Sequence, residues 1–379
     1  MPYYYHLKRY FKNTGERARV IENLQKVRAQ LDSEIPLKDA DRNLLLASWN
    51  IRDFGKPGSR RGFGVREPEA FFYIAEVLSR FDLIAVQEVN ELPEWEIVMD
   101  ILGPDWDYIA TDVTDPKLGG NGERLTYCYD KRKVWFRNIS GEIVLPTDML
   151  ISKSLVETKE GKKLYNGKQF RRTPFITTFQ CGWFNFDICT VHLYYGAESG
   201  KKLQERVQEI KQVATYLAKR ADVALRKNKA LILLGDFNIV HPDHETMEAL
   251  TGSGFKVPKV LAEPTNFNRS KYYDQIAFKT KRNVLEYIEK PSSNPLERNA
   301  GILDIHKNLY AKDQWKTYKP QMIKSTKGKN KSDAQLERYF SQWLTYQLSD
   351  HKPLWVRINT NESAGYLELL KRQLLMPDQ

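Results

Sequence analysis

Apolar residues recur at helical spacing between residues 17 and 35, at Val20, Ile21, Leu24, Val27 and Leu31. That spacing predicts an amphipathic helix, which Pro36 ends. From residue 44 the period changes. LLLASWNI reads as a strand, REPEAFFYIAEVLSRF as an amphipathic helix and DLIAVQEV as a second strand. YCYDKRKVWF, EIVLP, FITTFQ and WFNFDICTVHL read as further strands, several of them antiparallel candidates. KKLQERVQEIKQVATYLAKRA is a long amphipathic helix, KALILLGDFNIV the strand after it, and DQIAF and PLWVRI follow as strands. Strands dominate, with a few helices between them. Two β-sheets packed face to face with helices outside satisfy the pattern, so the expected class is α/β.

One stretch has two readings. LILLGDFNIV (231–240) is a buried strand that ends in Asp236 and Asn238. If the strand continues, both side chains share one face. If it stops, Gly235-Asp236 is an ordinary turn. YKPQMIKSTKGKNKSDAQ (318–335) is lysine-rich and polar and reads as an exposed loop, a solvated face or a contact for a polyanion.

The 379 residues suffice for one large domain or two ordinary ones, and 41% hydrophobic with 12% aromatic residues exclude a disordered chain. No apolar run reaches the roughly 20 residues of a membrane helix. The first 20 residues lack the apolar centre of a secretion signal, so a cytoplasmic location and no membrane partner are expected. Cys128, Cys181 and Cys189 sit in apolar surroundings without metal spacing and read as buried thiols. The net charge of +11 favours polyanionic partners.

Polar residues stand at the lips of six apolar strands: Asn50, Glu88, His192, Asp236 with Asn238, Asp274, and Asp350 with His351. One such residue is a cap or turn; six suggest strand ends converging on a site. Glu88, Asn50, Asp236 and Asp350 are hard oxygen ligands suited to Mg²⁺ or Mn²⁺, with Ca²⁺ possible as a structural ion. His192 and His351 can serve as acid, base or phosphate ligand. The combination points to metal-assisted phosphoester hydrolysis.

The motifs SWNIR, IAVQEV, TVHL, GDFN, YDQI and SDHKP, in that order over about residues 44–357, resemble the endonuclease/exonuclease/phosphatase superfamily of metal-dependent phosphoesterases. The resemblance implies a four-layered α/β sandwich, two packed mixed β-sheets flanked by helices, as in deoxyribonuclease I. It implies Glu88 as main metal ligand helped by Asn50, with Asp236 and Asp350 beside a metal. Asp236 would orient water, Asn238 hold a phosphate oxygen, His192 protonate the leaving oxygen, and Asp274 orient His351. Reaching one phosphate and its attacking water would set Asp236 and Asn238 on one face of a continuing buried strand. Within the superfamily, GGNGERLTYCYDKRKV resembles the deoxyribonuclease I segment whose glutamate orients the first histidine, here Glu123 behind His192. A carboxylate behind each imidazole fixes its tautomer and raises its pKa; a Glu123 that merely pairs with an arginine is the alternative. FRRTPF (170–175) resembles the same branch's phosphate contact, with Arg172 better placed than Arg171. Tyr194 and Tyr195 can stack on a base or pack. Arg52 and Lys56 edge the site. His241 and His244 read as loop or cap residues, His6 and His306 as structural.

The division expected is a helical extension over 1–42, the shared domain over 43–358 with a lysine-rich insertion near 290–335, and a C-terminal helix over 359–379. The function expected is a divalent-metal phosphodiesterase, a DNA endonuclease with little sequence specificity. The runner-up is a phosphomonoesterase or small-phosphodiester hydrolase of the inositol phosphatase or sphingomyelinase kind. A non-catalytic binding module would need a lost catalytic group, and all are present. Protein partners are not indicated.

Overall fold

The computed structural model describes residues 2–55, 62–113, 122–157, 163–226, 229–280 and 284–375. The strands are β1 (Asn43–Phe54), β2 (Leu83–Val89), β3 (Trp106–Ala110), β4 (Arg124–Asp130), β5 (Trp135–Glu142), β6 (Ile151–Glu157), β7 (Lys163–Lys168), β8 (Phe175–Cys181), β9 (Phe184–His192), β10 (Ala230–Asp236), β11 (Asp274–Lys279), β12 (Ala300–Ile302) and β13 (Leu354–Asn359). Among the described residues they form a six-stranded sheet, β12-β13-β1-β2-β4-β3, and a five-stranded sheet, β11-β10-β9-β8-β5. β6 and β7 pair separately as a hairpin. Both large sheets are mixed: β1 runs parallel to β2 and β9 to β10, and the other pairs are antiparallel.

The helices are α1 (Leu7–Tyr10), α2 (Thr14–Glu34), α3 (Pro68–Leu78), α4 (Leu92–Leu102), α5 (Gly200–Arg226), α6 (Glu245–Thr251), α7 (Val284–Ile288), α8 (Trp315–Lys324), α9 (Asp333–Gln347) and α10 (Ser363–Leu375). Strand alternation sorts the apolar residues into layers. Leu44 and Leu46 of β1 face Ile232 and Leu234 of β10 in the core between the sheets. The intervening Leu45 and Ala47 pack against Val20 and Leu24 of α2, Phe72 of α3 and Trp343 of α9. Leu231 and Leu233 pack against Ile210, Val213 and Leu217 of α5. The result is helix, sheet, sheet, helix: the packed sheets with outer helices that the pattern predicts and the four-layered sandwich that the resemblance implies. All three cysteines are buried in it. No helix among the described residues is long and apolar enough to cross a membrane.

Local departures from the sequence reading have identifiable causes. YCYDKRKVWF is not one strand: it turns at residues 131–134 and passes from the first sheet to the second. EIVLP leaves β5 after Glu142. The lysine-rich stretch 318–335 is not a loop but most of α8, a tight turn and the start of α9. Tyr318 and Met322 of α8 and Leu336, Phe340 and Trp343 of α9 enter the helix-side core, while Lys324, Lys327 and Lys329 stay exposed. Lysines on the outer face masked a period that the aromatic residues carry.

Candidate active site at the paired sheet ends

Parity places most of the site. On β10 the positions facing the other sheet are Ile232, Leu234 and then Asp236; on β1 they are Leu44, Leu46, Ser48 and Asn50. On β9 the series ends at His192, on β11 it begins at Asp274, and before β4 the same face carries Glu123. Because β1, β2, β9 and β10 end where β4, β11 and β13 begin, these polar positions meet at one end of the sandwich. One residue below them, Gln87 donates from Nε2 to Ser48 Oγ at 3.2 Å and to Thr190 Oγ1 at 2.9 Å, tying the two sheets beneath the site. Gly235 is required there: at φ +126, a Cβ would lie 2.2 Å from the Val191 carbonyl.

Glu88 breaks the parity. In a regular β2 it would point to the helices, but its φ is +65 and the register slips beside it. Left-handed backbone at a glutamate costs about 1–3 kcal/mol, offset in part by the Asp53 N–H, which donates to Glu88 Oε2 at 2.7 Å. The turn brings Oε1 to Asn50, whose Nδ2 donates to Glu88 Oε1 at 2.9 Å and to Asp236 Oδ2 at 3.1 Å. Asn238 answers the question of the GDFN stretch: the strand stops at Asp236, and Asn238 has φ +56. Its N–H donates to Asp236 Oδ1 at 2.9 Å and its Nδ2 to the Leu193 carbonyl at 2.9 Å. This corrects the expectation of a shared strand face: the strand stops, and the two side chains meet through a turn.

The two imidazoles both approach Asp236. His351 Nδ1 is 2.8 Å from Asp274 Oδ2, which also accepts from Thr265 Oγ1 at 2.7 Å; its Nε2 lies 3.8 Å from Asp236 Oδ2. His192 Nδ1 lies 3.1 Å from Glu123 Oε1, with its Nε2 3.6 Å from Asp236 Oδ2 and 3.9 Å from Glu88 Oε1. Glu123 therefore has both partners that the sequence left as alternatives, since it also pairs with the largely buried Arg172.

That sharing separates the two histidines. Burial lowers the His351 pKa, but Asp274 and Asp236 outweigh it and hold the pKa well above the ordinary value. Burial and the Arg172 guanidinium pull His192 down to about 4 against Asp236 and Glu88. The expectation that a carboxylate behind each imidazole raises its pKa thus applies to His351 and reverses at His192. Burial raises Glu88, yet His192, the Asn50 amide and the Asp53 N–H hold it at about 2.

Two residues that the sequence reading did not single out hold the rim. Arg206, fully buried on α5, donates from Nε to Tyr195 O at 2.7 Å, from Nη1 to Asn238 O at 2.8 Å and from Nη2 to Ala197 O at 2.6 Å. Glu209, three residues on, accepts from Tyr194 N at 2.6 Å and Arg171 N at 3.1 Å. One turn of α5 thus fixes three loops around His192. QERVQE gives no sign of this, because charged residues on a helix ordinarily face water.

Other expected residues lie at the edge. The Asp350 carboxylate is 41% exposed, 3.6 Å from Arg52, and outside both clusters of acidic and imidazole groups. Tyr194 lies under the Arg171 guanidinium at 3.9 Å, and Tyr195 packs edge-on against Tyr273. His244 caps α6 by accepting from Thr246 N, and His241 packs on Tyr272. Lys56 lies outside the described residues.

Motif order, layered mixed sheets and two imidazoles converging on one aspartate define the class of protein: the chain resembles the endonuclease/exonuclease/phosphatase superfamily. No family model matches it. It is similar to a deoxyribonuclease from Thioalkalivibrio sp. (strain K90mix), 26% identical over 228 residues, which cover 59% of this chain and 51% of that protein. The chain thus spans about half the length of the curated relative it matches. Similar solved structures include an endonuclease/exonuclease/phosphatase family protein from Bacteroides thetaiotaomicron (19% identity, 84% of this chain and 98% of that chain, TM-score 0.46). A mannosyl-6-phosphatase from Bacteroides thetaiotaomicron shows 21% identity over 62% of this chain and 85% of that chain, with TM-score 0.42. The human nocturnin catalytic domain with bound sulfate shows 13% identity over 83% and 93%, with TM-score 0.46.

Proposed function

We propose that the protein is a divalent-metal-dependent phosphodiesterase that cuts nucleic acid, most readily DNA, with little sequence specificity. The observation that carries the reading is the convergence of His192 and His351 on Asp236, their Nε2 atoms 3.6 and 3.8 Å from the same carboxylate oxygen. A phosphate bound beside Asp236 would be within reach of both imidazoles, which can serve as proton donor and as charge stabiliser. The net charge of +11 suits a phosphate backbone, and the curated relative is called a deoxyribonuclease.

The donor set fits a hard divalent cation. Glu88 and Asp236 converge on one amide group, where two like charges repel each other. Glu88, Asp236 and Asn50 would hold the ion, Mg²⁺ or Mn²⁺; Asp350, turned to Arg52, would not. The ion supplies Lewis acidity and a more acidic water. In this reading Asp236 orients the attacking water, Asn238 contacts a non-bridging oxygen, and His351 with Asp274 behind it stabilises charge on the phosphate. His192 donates its proton to the leaving oxygen. Substrate supplies what the free site lacks, because an anionic phosphate raises the proton affinity of a buried imidazole. In the same reading Arg172, paired with Glu123, would contact the substrate phosphate, and Tyr194 the approaching substrate. The catalytic unit in this reading is residues 43–358.

Nicking of supercoiled plasmid with Mg²⁺ or Mn²⁺, at low and moderate salt, tests the reading. EDTA and the Asp236→Ala substitution are expected to abolish it. An intact plasmid beside turnover of inositol polyphosphate or a phosphocholine ester would assign the site to the small-phosphoester branch instead.

A further inference from the structure

Beside His351 the site opens into a cleft of about 560 Å³, the size of a pocket for one small ligand. One wall is the loop before β11, with Phe267, Asn268 and Tyr273; the other is α9 and the turn that precedes it, with Gln342 and Lys327. We propose that this cleft is a subsite for one unpaired nucleotide flanking the scissile phosphate, which makes single-stranded nucleic acid the preferred substrate. The proposal rests on the nuclease reading above and adds the form of the strand.

The turn is built to hold a cation in place. Lys327 N donates to the Gly62 carbonyl at 2.9 Å, and Gly328 N to Ser325 Oγ at 3.0 Å. Ser325 Oγ meets the Tyr339 hydroxyl at 3.1 Å. The Lys327 ammonium lies 3.8 Å from the centre of the Phe63 ring, and Phe63 stacks on Tyr339 and Tyr346. An exposed lysine on such a platform has a fixed position, unlike a lysine on a solvated helix face. Among the described lining residues it and Arg52 are cations, and Asp350, 3.6 Å from Arg52, is the carboxylate.

The remaining lining suits a base. Phe267 and Tyr273 offer aromatic faces, and Tyr273 already lies against His351, with ring centres 5.6 Å apart. Stacking on such rings is worth about 1–3 kcal/mol per base and tolerates any base. Asn268 and Gln342 bring amide donors and acceptors to the same space, which a base edge can use only when it is unpaired. Drawing a base out of a duplex costs a few kcal/mol, so a strand already single enters at lower cost.

Two experiments on the full chain test this. Adenosine 5′-monophosphate, titrated in EDTA by calorimetry, is expected to bind, and Lys327→Met to weaken it at least fivefold, with partial recovery in Lys327→Arg. In steady-state cleavage, kcat/KM for a single-stranded oligonucleotide is expected to exceed that for its duplex about tenfold, and Lys327→Met to cut that ratio at least threefold. Binding insensitive to Lys327, or equal losses on both strand forms, would overturn the subsite even where plasmid is nicked. Lys327-dependent nucleotide binding with no nucleic acid cleaved would keep the subsite and discard the nuclease reading. Lys327 is exposed in a turn, so its substitution does not disturb the core.

Discussion

The Arg206 guanidinium donates to the main-chain carbonyl of Asn238 at 2.8 Å, joining the middle of a surface helix to the turn that follows Asp236. The same side chain holds two further carbonyls in the loop after His192. Removing it leaves three main-chain carbonyls without that donor in a buried space. Arg206→Met is expected to lower stability by about 3 kcal/mol, read by urea unfolding. It is also expected to lower kcat more than it changes KM, because the loops it fixes carry reacting groups rather than remote binding contacts. Arg206→Lys should return part of both. A variant that unfolds earlier yet keeps kcat would show that Arg206 supports the fold alone.

The Asp274–His351 pair carries a second prediction. Asp274 is buried, accepts from Thr265 and lies 2.8 Å from His351 Nδ1. Asp274→Asn preserves shape but removes the charge that holds the imidazolium and its tautomer. A loss in kcat of at least a hundredfold is expected, on the scale known for such dyads, with near-unchanged unfolding. A loss under fivefold would remove His351 from the chemistry.

Glu88 and Asp236 converge on Asn50, which predicts metal-linked stability. Adding millimolar Mg²⁺ to EDTA-treated protein is expected to raise its melting temperature through preferential binding to the folded state. Glu88→Gln should lose most of that rise and at least a thousandfold in kcat/KM. It should also melt below the parent in EDTA, since a carboxylate held at about 2 is stabilised as the anion by His192, the Asn50 amide and the Asp53 N–H in the folded site. An unchanged Mg²⁺ response in the variant would place the ion elsewhere.

What the sequence allows a reader to see depends on how local each cause is. Strand parity is local, so Asn50, His192, Asp236 and Asp274 can be placed at strand ends from the pattern of LLLASWNI, DICTVHL, LILLGD and DQIAF. The pairing of Glu123 with His192 crosses from one sheet to the other and came from motif resemblance; periodicity alone would not give it. Glu88 defeats parity because a left-handed residue re-aims it. Asp350 adjoins His351 in the chain, yet its carboxylate turns outward to Arg52. The helix α9 was legible in principle: Leu336, Phe340, Trp343 and Gln347 keep helical spacing, and Gln335 Oε1 accepts from the Ser332 N–H at the helix start. The lysines before it mask that spacing. Arg206 and Glu209 gave no signal, because their partners are main-chain groups of distant loops.

His306 offers a test away from the reacting groups. It is buried, its Nε2 lies 2.7 Å from the Ser349 carbonyl, and its Nδ1 has no hydrogen-bond partner among the described residues. Burial lowers its pKa, and the Ser349 carbonyl, Asp304 and Asp350 only partly oppose this. The folded protein therefore favours the neutral ring, whereas the unfolded chain binds a proton near the ordinary value of about 6.5. The stability linked to this group is full above that value and is lost as pH falls toward the lower, folded value. His306→Gln can still donate to Ser349 but cannot take up the proton. Between pH 7.5 and 5.5 the variant is expected to lose less unfolding free energy than the parent, measured by urea denaturation at each pH. Parallel losses would mean that the ring is protonated in the folded state and that Nδ1 finds a partner there.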